Sequence, residues 1–322
     1  IISEAENELA HLEVGQGDYA DRRNFLLSVI ESAAAVIGYA HRYRDLAASM
    51  AQKESDPSRK AELLTISQTC ARVPEFGARS FKEACQAFWF VQQLLQMESS
   101  GHSISPGRFD QYMYPYYKSD IENGKLTQEQ AYELIMEFFL ACNKDSDLYV
   151  GMQQGDNGQS LVLGGRDTEG NCLFNEVSRM CIKASYELNL IDPKINLRCD
   201  SNTPLEIYKL GAELTKRGLG FPQYDNDDVV IPGLMKLGYT EEDAHNYVVA
   251  ACWEFIIPKN GMEIPNIDAL SFAEIVSETI QSLGDYKSYD ELYAAVEAKI
   301  KAECERITSA HDNLYIAPAP FL

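Results

Sequence analysis

The sequence predicts an α/β chain, and three observations carry that expectation. Short apolar runs bounded by glycine or polar residues alternate with stretches of helical spacing from about Tyr149 onward, the pattern of a substantially buried sheet or barrel. Helix-capping signals recur along the chain, at Ser80 with Glu83, Thr127 with Gln130, Thr240 with Asp243 and Ser288 with Glu291. The 322 residues are 45% hydrophobic, enough for one large domain or two ordinary ones around a sizeable core.

The first third reads as helical. An apolar-rich stretch runs from about Phe25 to Leu46, interrupted by Gly38. A second helix opens at Ser80, where Phe81, Cys85, Phe88 and Leu95 fall on one side, and Gly101 ends it. The segment Gly101-His-Ser-Ile-Ser-Pro-Gly-Arg-Phe-Asp-Gln-Tyr112 breaks the pattern as a polar loop, and an aromatic run from Tyr112 to Tyr117 follows as a packing surface. The next helix spans Thr127 to about Cys142.

Leu161-Val162-Leu163, stopped by Gly164-Gly165, predicts a short buried strand. A helix follows over Asn175–Leu188, a strand over Ile195–Arg198 and a helix from Pro204 to about Arg217. Val229-Val230-Ile231 is too short to classify alone. A short helix capped by Thr240 leads into the apolar run Tyr247–Ala251 and then to Cys252, and a last helix runs from Ser288 to near Ile307.

Composition excludes several functions. Acidic residues outnumber basic ones by 49 to 28, a net charge of -21, which repels nucleic-acid backbones and anionic membranes. No secretory signal or membrane span is expected, which places the chain in the cytoplasm. Eight cysteines stand at 70, 85, 142, 172, 181, 199, 252 and 304 without a CxxC pair, and the five histidines are scattered, so no bound metal or cofactor is expected and the cysteines read as free thiols. Phosphate-binding GxGxxG and GxxxxGK loops are absent.

Cys252 and Glu254 flank Trp253 at the end of an apolar run. Cysteine is commonly a packing residue. If the run is a strand, however, Cys252 and Glu254 share a face. A carboxylate beside a thiol opposes thiolate formation, so the pair suits a sulfur that carries hydrogen atoms while the glutamate moves protons. A thiolate nucleophile activated by His102 or His245 across the fold is the competing reading. His102 and Ser103 are either turn residues or substrate ligands, and Arg108 and Asp110 are expected to pair and hold their loop. Tyr224-Asp225-Asn226-Asp227-Asp228 is either a solvated turn or a loop entering the cavity, with calcium as an oxygen-ligand alternative.

Four blocks in order, Gly101–Tyr112, Leu163-Gly-Gly165, Asn226-Asp-Asp228 and Cys252-Trp-Glu254, resemble the glycyl radical enzymes of the pyruvate formate-lyase superfamily over roughly residues 80–272. The resemblance implies part of a ten-stranded β/α barrel with a helical N-terminal portion. It implies a glycyl radical installed by an S-adenosylmethionine/iron–sulfur activating enzyme, a thiyl radical at Cys252, and proton transfer by Glu254. His102, Ser103, Trp253 and Tyr224 are the expected pocket residues. Nothing here resembles the Arg-Val-x-Gly-Tyr radical block, and Ile316–Leu322 resembles a family loop cut short. Residues 1–322 are therefore expected to be an internal fragment of one large domain, helical to about 145 and barrel-forming from about 146, without the glycyl-radical domain and inactive alone.

Within the superfamily, Ala250-Ala-Cys-Trp-Glu-Phe-Ile-Ile-Pro258 resembles the arylacetate decarboxylases, above all the 4-hydroxyphenylacetate decarboxylase large subunit. That implies decarboxylation of 4-hydroxyphenylacetate, a small aromatic acid, to 4-methylphenol and carbon dioxide, in a homo-oligomer with a small iron–sulfur subunit. Two alternatives stand beside it: a C–X lyase such as a diol or hydroxyproline dehydratase, and an inactive structural or interaction fragment. The decarboxylase predicts an aromatic slot, the dehydratase a polar, hydroxyl-binding cavity.

Overall fold

The computed structural model describes residues 1–15, 17–98, 103–144, 157–251, 253–260 and 269–312. The chain divides into two compact units, Ile1–Asn260 and Gly261–Leu322.

The larger unit opens with six helices: α1 (Ile2–Ala10), α2 (Tyr19–Lys53), α3 (Pro57–Arg72), α4 (Phe81–Glu98), α5 (Phe109–Glu122) and α6 (Gln128–Cys142). Gly38 does not interrupt α2, whose buried positions are the small residues Ala40, Ala47 and Ala51. Asp56 caps α3 by accepting from the Ser58 amide. Thr127 and Gln130 form a complete reciprocal cap on α6, satisfying two amides that the helix start leaves open. At Ser80 only half of the expected cap forms. The Glu83 amide donates to Ser80 Oγ, but the Glu83 carboxylate turns to the Arg79 amide and guanidinium.

Helices and strands then alternate: β1 (Ser160–Gly164), α7 (Glu176–Leu188), β2 (Lys194–Cys199), α8 (Leu205–Thr215), β3 (Gln223–Asn226), α9 (Asp227–Lys236) and α10 (Glu241–His245). Val229-Val230-Ile231 falls inside α9. Strands β1, β2 and β3 make a parallel sheet in sequence order, with Ser160 opposite Lys194, Gly164 opposite Arg198 and Arg198 opposite Asp225. The chain then turns back on itself as an antiparallel hairpin of β4 (Val248–Ala250) and β5 (Glu254–Ile256).

Side chains alternate across the parallel sheet, and its two faces build different cores. Leu161, Leu163, Ile195 and Leu197 pack with Phe109, Met113, Phe138, Val177 and Ile207 from the helices. Val162, from the opposite face, packs with Ile231, Leu234, Tyr247, Val249 and Ile257, so the hairpin lies over β1.

This architecture corrects the expected fold class. Among the described residues the chain is mostly α-helical, with five short strands in two small open sheets and no ten-stranded β/α barrel. A barrel closes by pairing its last strand with its first. Among the described residues β3 pairs only with β2, while β4 pairs with β5 in an antiparallel hairpin, Ala250 opposite Glu254. No helix among the described residues is long and apolar enough to cross a membrane.

The smaller unit contains α11 (Phe272–Gln281) and α12 (Tyr289–Asp312). Ser271 caps α11, and Lys299 pairs with Glu278 between the two helices at 3.3 Å.

Candidate active site

The tip of the β4–β5 hairpin meets two other segments at a glycine. Gly158 has φ +66, and a Cβ there would lie 3.2 Å from Ser103 Oγ and 3.8 Å from the Ala251 Cα. A side chain at 158 would therefore crowd the Ser103 hydroxyl and touch the backbone of Ala251, so the segment after His102 and the segment before Cys252 meet across a residue without a Cβ. Ser103 and Ala251 both hold left-handed backbone, at φ 63 and φ 49, which residues with a Cβ adopt at a cost.

Hydrogen bonds fix this meeting point. The Ser103 amide donates to the Asn157 carbonyl at 2.7 Å. Ser105 Oγ accepts from the Ser160 amide at 3.1 Å and from the Ala251 amide at 3.4 Å. Ser160 Oγ donates to the Ala251 carbonyl at 2.6 Å. Three serines thus surround the point where the chain enters residue 252.

The base of the hairpin is held by a buried guanidinium. Arg198 donates through Nη1 to the carbonyls of His245 (2.9 Å) and Tyr247 (3.1 Å), and its Cζ lies 3.9 Å from the Tyr247 ring centroid. The Asp227 carboxylate takes both remaining sides of that guanidinium and also the Tyr247 hydroxyl, at 2.7 Å. Arg108 reaches the same end, donating to the His245 carbonyl and to Asn246 Oδ1. Burial, with Arg198 nearby, lowers Arg108 to about 10, which leaves it charged near neutrality. Asp110 does not pair with Arg108; its carboxylate accepts from the Gly164 amide and from Ser178 Oγ, tying α5 to β1 and α7.

A cavity of about 530 Å³ opens at this base, lined by Arg108, Arg166, His245 and Lys259 among others. It lies where β4 begins and β5 has ended, at the other end of the hairpin from Ala251.

The expected site residues distribute unevenly around this geometry. Cys252 and His102 lie outside the described residues. Ser103 stands at the meeting point. Glu254 begins the returning strand opposite Ala250, half-buried, and its Oε2 accepts the Trp253 amide at 2.9 Å. Trp253 is 52% exposed. Tyr224 lies opposite Leu197, on the sheet face that carries α8; it stacks on Tyr208 and crowds Gly211. It is on the far side of the sheet from the hairpin. Asp227 and Asp228 of the acidic run bind Arg198 and Arg166, and no group of three or more His, Cys, Asp or Glu side chains gathers as a metal site among the described residues.

Sequence reasoning missed Ser105, Gly158, Ser160 and Arg198. One signal was available: an arginine ending an apolar strand needs a buried counter-charge, and Asp227 is the partner.

A family profile for pyruvate formate lyase-like proteins matches residues 1–317. The chain belongs to the pyruvate formate lyase-like family. The (2S)-3-sulfopropanediol dehydratase of Klebsiella oxytoca is 32% identical over 349 aligned residues, all of this chain and 42% of the relative. An isethionate sulfite-lyase of Desulfovibrio desulfuricans (strain ATCC 27774 / DSM 6949 / MB) is 34% identical, over 92% of this chain and 37% of the relative. The glycerol-bound B12-independent glycerol dehydratase from Clostridium butyricum superposes with a TM-score of 0.84 at 35% identity, over 99% of this chain and 43% of that one. The chain thus spans about two-fifths of the length of the relatives it matches. This member of the pyruvate formate lyase-like family groups with glycyl radical dehydratases and lyases, and the expected restriction to 4-hydroxyphenylacetate decarboxylase is not supported.

Proposed function

We propose that this chain is the part of a glycyl radical C–X lyase that presents the reactive cysteine, and that the whole protein eliminates water or another small group from a small hydroxylated substrate. The observation that carries the reading is the convergence of Ser103, Gly158 and Ala251 at the hairpin tip, bringing the segment after His102 against the segment before Cys252.

The surroundings of that tip favour elimination over arylacetate decarboxylation. Ser103, Ser105 and Ser160 cluster where the chain leads into Cys252, which makes this a polar setting. Of the aromatic residues expected to form a slot, Tyr224 lies across the sheet from the hairpin, and Trp253, at the tip, is half-exposed rather than enclosed. The activities for which these relatives are named, dehydration and sulfite release, point the same way.

A protein-borne radical from outside this chain would supply the unpaired electron. Cys252, as the thiyl, takes a hydrogen atom from the substrate carbon beside the one bearing the leaving group. Glu254, two residues on, moves a proton between substrate and leaving group as the C–X bond breaks. Cys252 then returns the hydrogen atom to the product-forming radical, so the thiol is used catalytically. The Ser103 segment orients the substrate. Activation by a separate enzyme is part of this reading.

The test is anaerobic activation of the full-length protein, followed by assay on 1,2-propanediol, glycerol, isethionate, 3-sulfopropanediol and 4-hydroxyphenylacetate. A glycyl radical signal with elimination from one of the first four is expected, and Cys252→Ala should keep that signal and abolish turnover. Carbon dioxide from hydroxyphenylacetate without elimination from the others would restore the decarboxylase.

A further inference from the structure

We infer that Ser160 is a positioning residue for Cys252, acting through the peptide bond that joins Ala251 to it. The inference rests on the proposed role of Cys252 and adds a residue that the role alone does not identify.

Ser160 is fully buried, and its backbone is already committed. Its amide donates to Ser105 Oγ and its carbonyl accepts from the Gly107 amide, while β1 holds it in register with Lys194. A buried hydroxyl needs a partner, and this one donates to the Ala251 carbonyl at 2.6 Å. That carbonyl belongs to the planar peptide group that also contains the nitrogen and Cα of residue 252. Holding the carbonyl therefore holds the plane from which Cys252 starts.

The backbone at Ala251 shows why a hold is required. Its φ of 49 is a conformation that a residue with a Cβ leaves readily unless its surroundings fix it. The Ala251 amide is held from the other side by Ser105 Oγ at 3.4 Å. The two hydroxyls grip the amide and the carbonyl of one strained residue, and the shorter contact comes from Ser160. Serine also stands out at this position, since Leu161-Val162-Leu163 follow it along the same strand. An alanine there would pack as well but would leave the carbonyl unpaired.

The full-length protein, activated anaerobically, is compared with Ser160→Ala and Ser160→Thr, reading turnover per glycyl radical spin. Loss of the hydroxyl should lower kcat per radical about tenfold to a hundredfold with KM changed less than about threefold. Ser160→Thr, which keeps a donor, should recover much of that loss. A residue that merely supports the fold would instead lower melting temperature and radical yield together and leave turnover per radical intact; that outcome overturns the inference. Should Ser160→Ala not fold, Ser160→Cys keeps the size while weakening the donor, and the same split is expected. A second readout does not depend on the reaction: anaerobic iodoacetamide labelling of Cys252, followed by peptide mass. If wild-type protein carries the radical but turns over no substrate, the functional reading fails and labelling decides the inference. A Cys252 rate altered several-fold in Ser160→Ala, with the other cysteines unchanged, supports positioning; an unaltered rate refutes it.

Discussion

Arg198 and Asp227 meet through two parallel hydrogen bonds, Nε to Oδ1 at 2.9 Å and Nη2 to Oδ2 at 3.0 Å, with neither side chain exposed. The same guanidinium carries the His245 and Tyr247 carbonyls, so this ion pair joins β2, α9 and the foot of the hairpin. Removing one partner strands a charge in the interior. Asp227→Asn keeps the shape and is expected to cost about 3–5 kcal/mol. Tyr247→Phe, which loses one bond to the carboxylate, should cost about 2 kcal/mol. Urea denaturation measures both, and equal small losses would show that the charge is not the critical element.

Asp225 makes stability depend on pH. It is buried with neither carboxylate oxygen hydrogen-bonded, and burial pushes it up to about 7 even though Arg198 opposes the shift and Asp227 adds to it. In the unfolded chain an aspartate titrates near ~3.9, so between roughly pH 4 and 7 the folded protein binds more protons than the unfolded one. This contribution is therefore present below that window and is lost as pH rises through it. Asp225→Asn should flatten the slope and leave the protein more stable than wild type above about pH 7. Denaturation curves at several pH values check this, and parallel wild-type and mutant profiles would contradict it.

Gly165 and Gly170 separate backbone strain from close approach. Both have positive φ, +85 and +83, but a Cβ at 165 would lie 2.8 Å from the Arg198 guanidinium, while one at 170 would meet nothing within 4 Å. Alanine at 170 should cost only the strain of its conformation, about 1 kcal/mol. Alanine at 165 should cost about 1–3 kcal/mol more, since the guanidinium is pinned by Asp227 and by the His245 and Tyr247 carbonyls. The difference in denaturation midpoints is the measurement; equal midpoints would mean that Arg198 yields.

Ala251 should resist branching at Cβ. At φ 49 a β-branched residue is a conformational outlier, so Ala251→Val is expected to destabilise by about 1–3 kcal/mol. Ala250→Val, one position earlier in β4, should be tolerated because branched residues suit strands. Thermal melts of the two variants give the comparison, and a reversed order would show that the tip relaxes.

Local chemistry was readable and distant chemistry was not. The Thr127–Gln130 cap, the strand at Leu161–Leu163 and the helix from Asn175 follow from residues within a few positions of one another. Glu83 shows the limit of that reading: Arg79, four residues back, took its carboxylate from the expected cap. The loop through Arg108-Phe-Asp110 closes into α5 at Phe109, because Asp110 finds the Gly164 amide 54 residues away. The barrel expectation failed for a related reason. Strand segments were legible, but which strand pairs with which is set by the antiparallel return of β5 onto β4 and by strand edges that no local pattern encodes. At the candidate site, Cys252, Glu254 and Ser103 were selected from sequence blocks. Ser160 and Arg198 act across 91 and 47 residues of sequence through a hydroxyl and a guanidinium that look ordinary in isolation.

The hairpin is gripped at both extremities, by Arg198 at its foot and by Ser160 at its tip, and both grips come from adjacent strands of one sheet. A beam supported at two points keeps its end in place even when its middle is rebuilt. Exchange of Val248 and Val249 for side chains of similar bulk is therefore expected to leave the end of the span in place. Two supports on neighbouring strands make the place of Ala251 a property of the sheet rather than of the hairpin's own sequence.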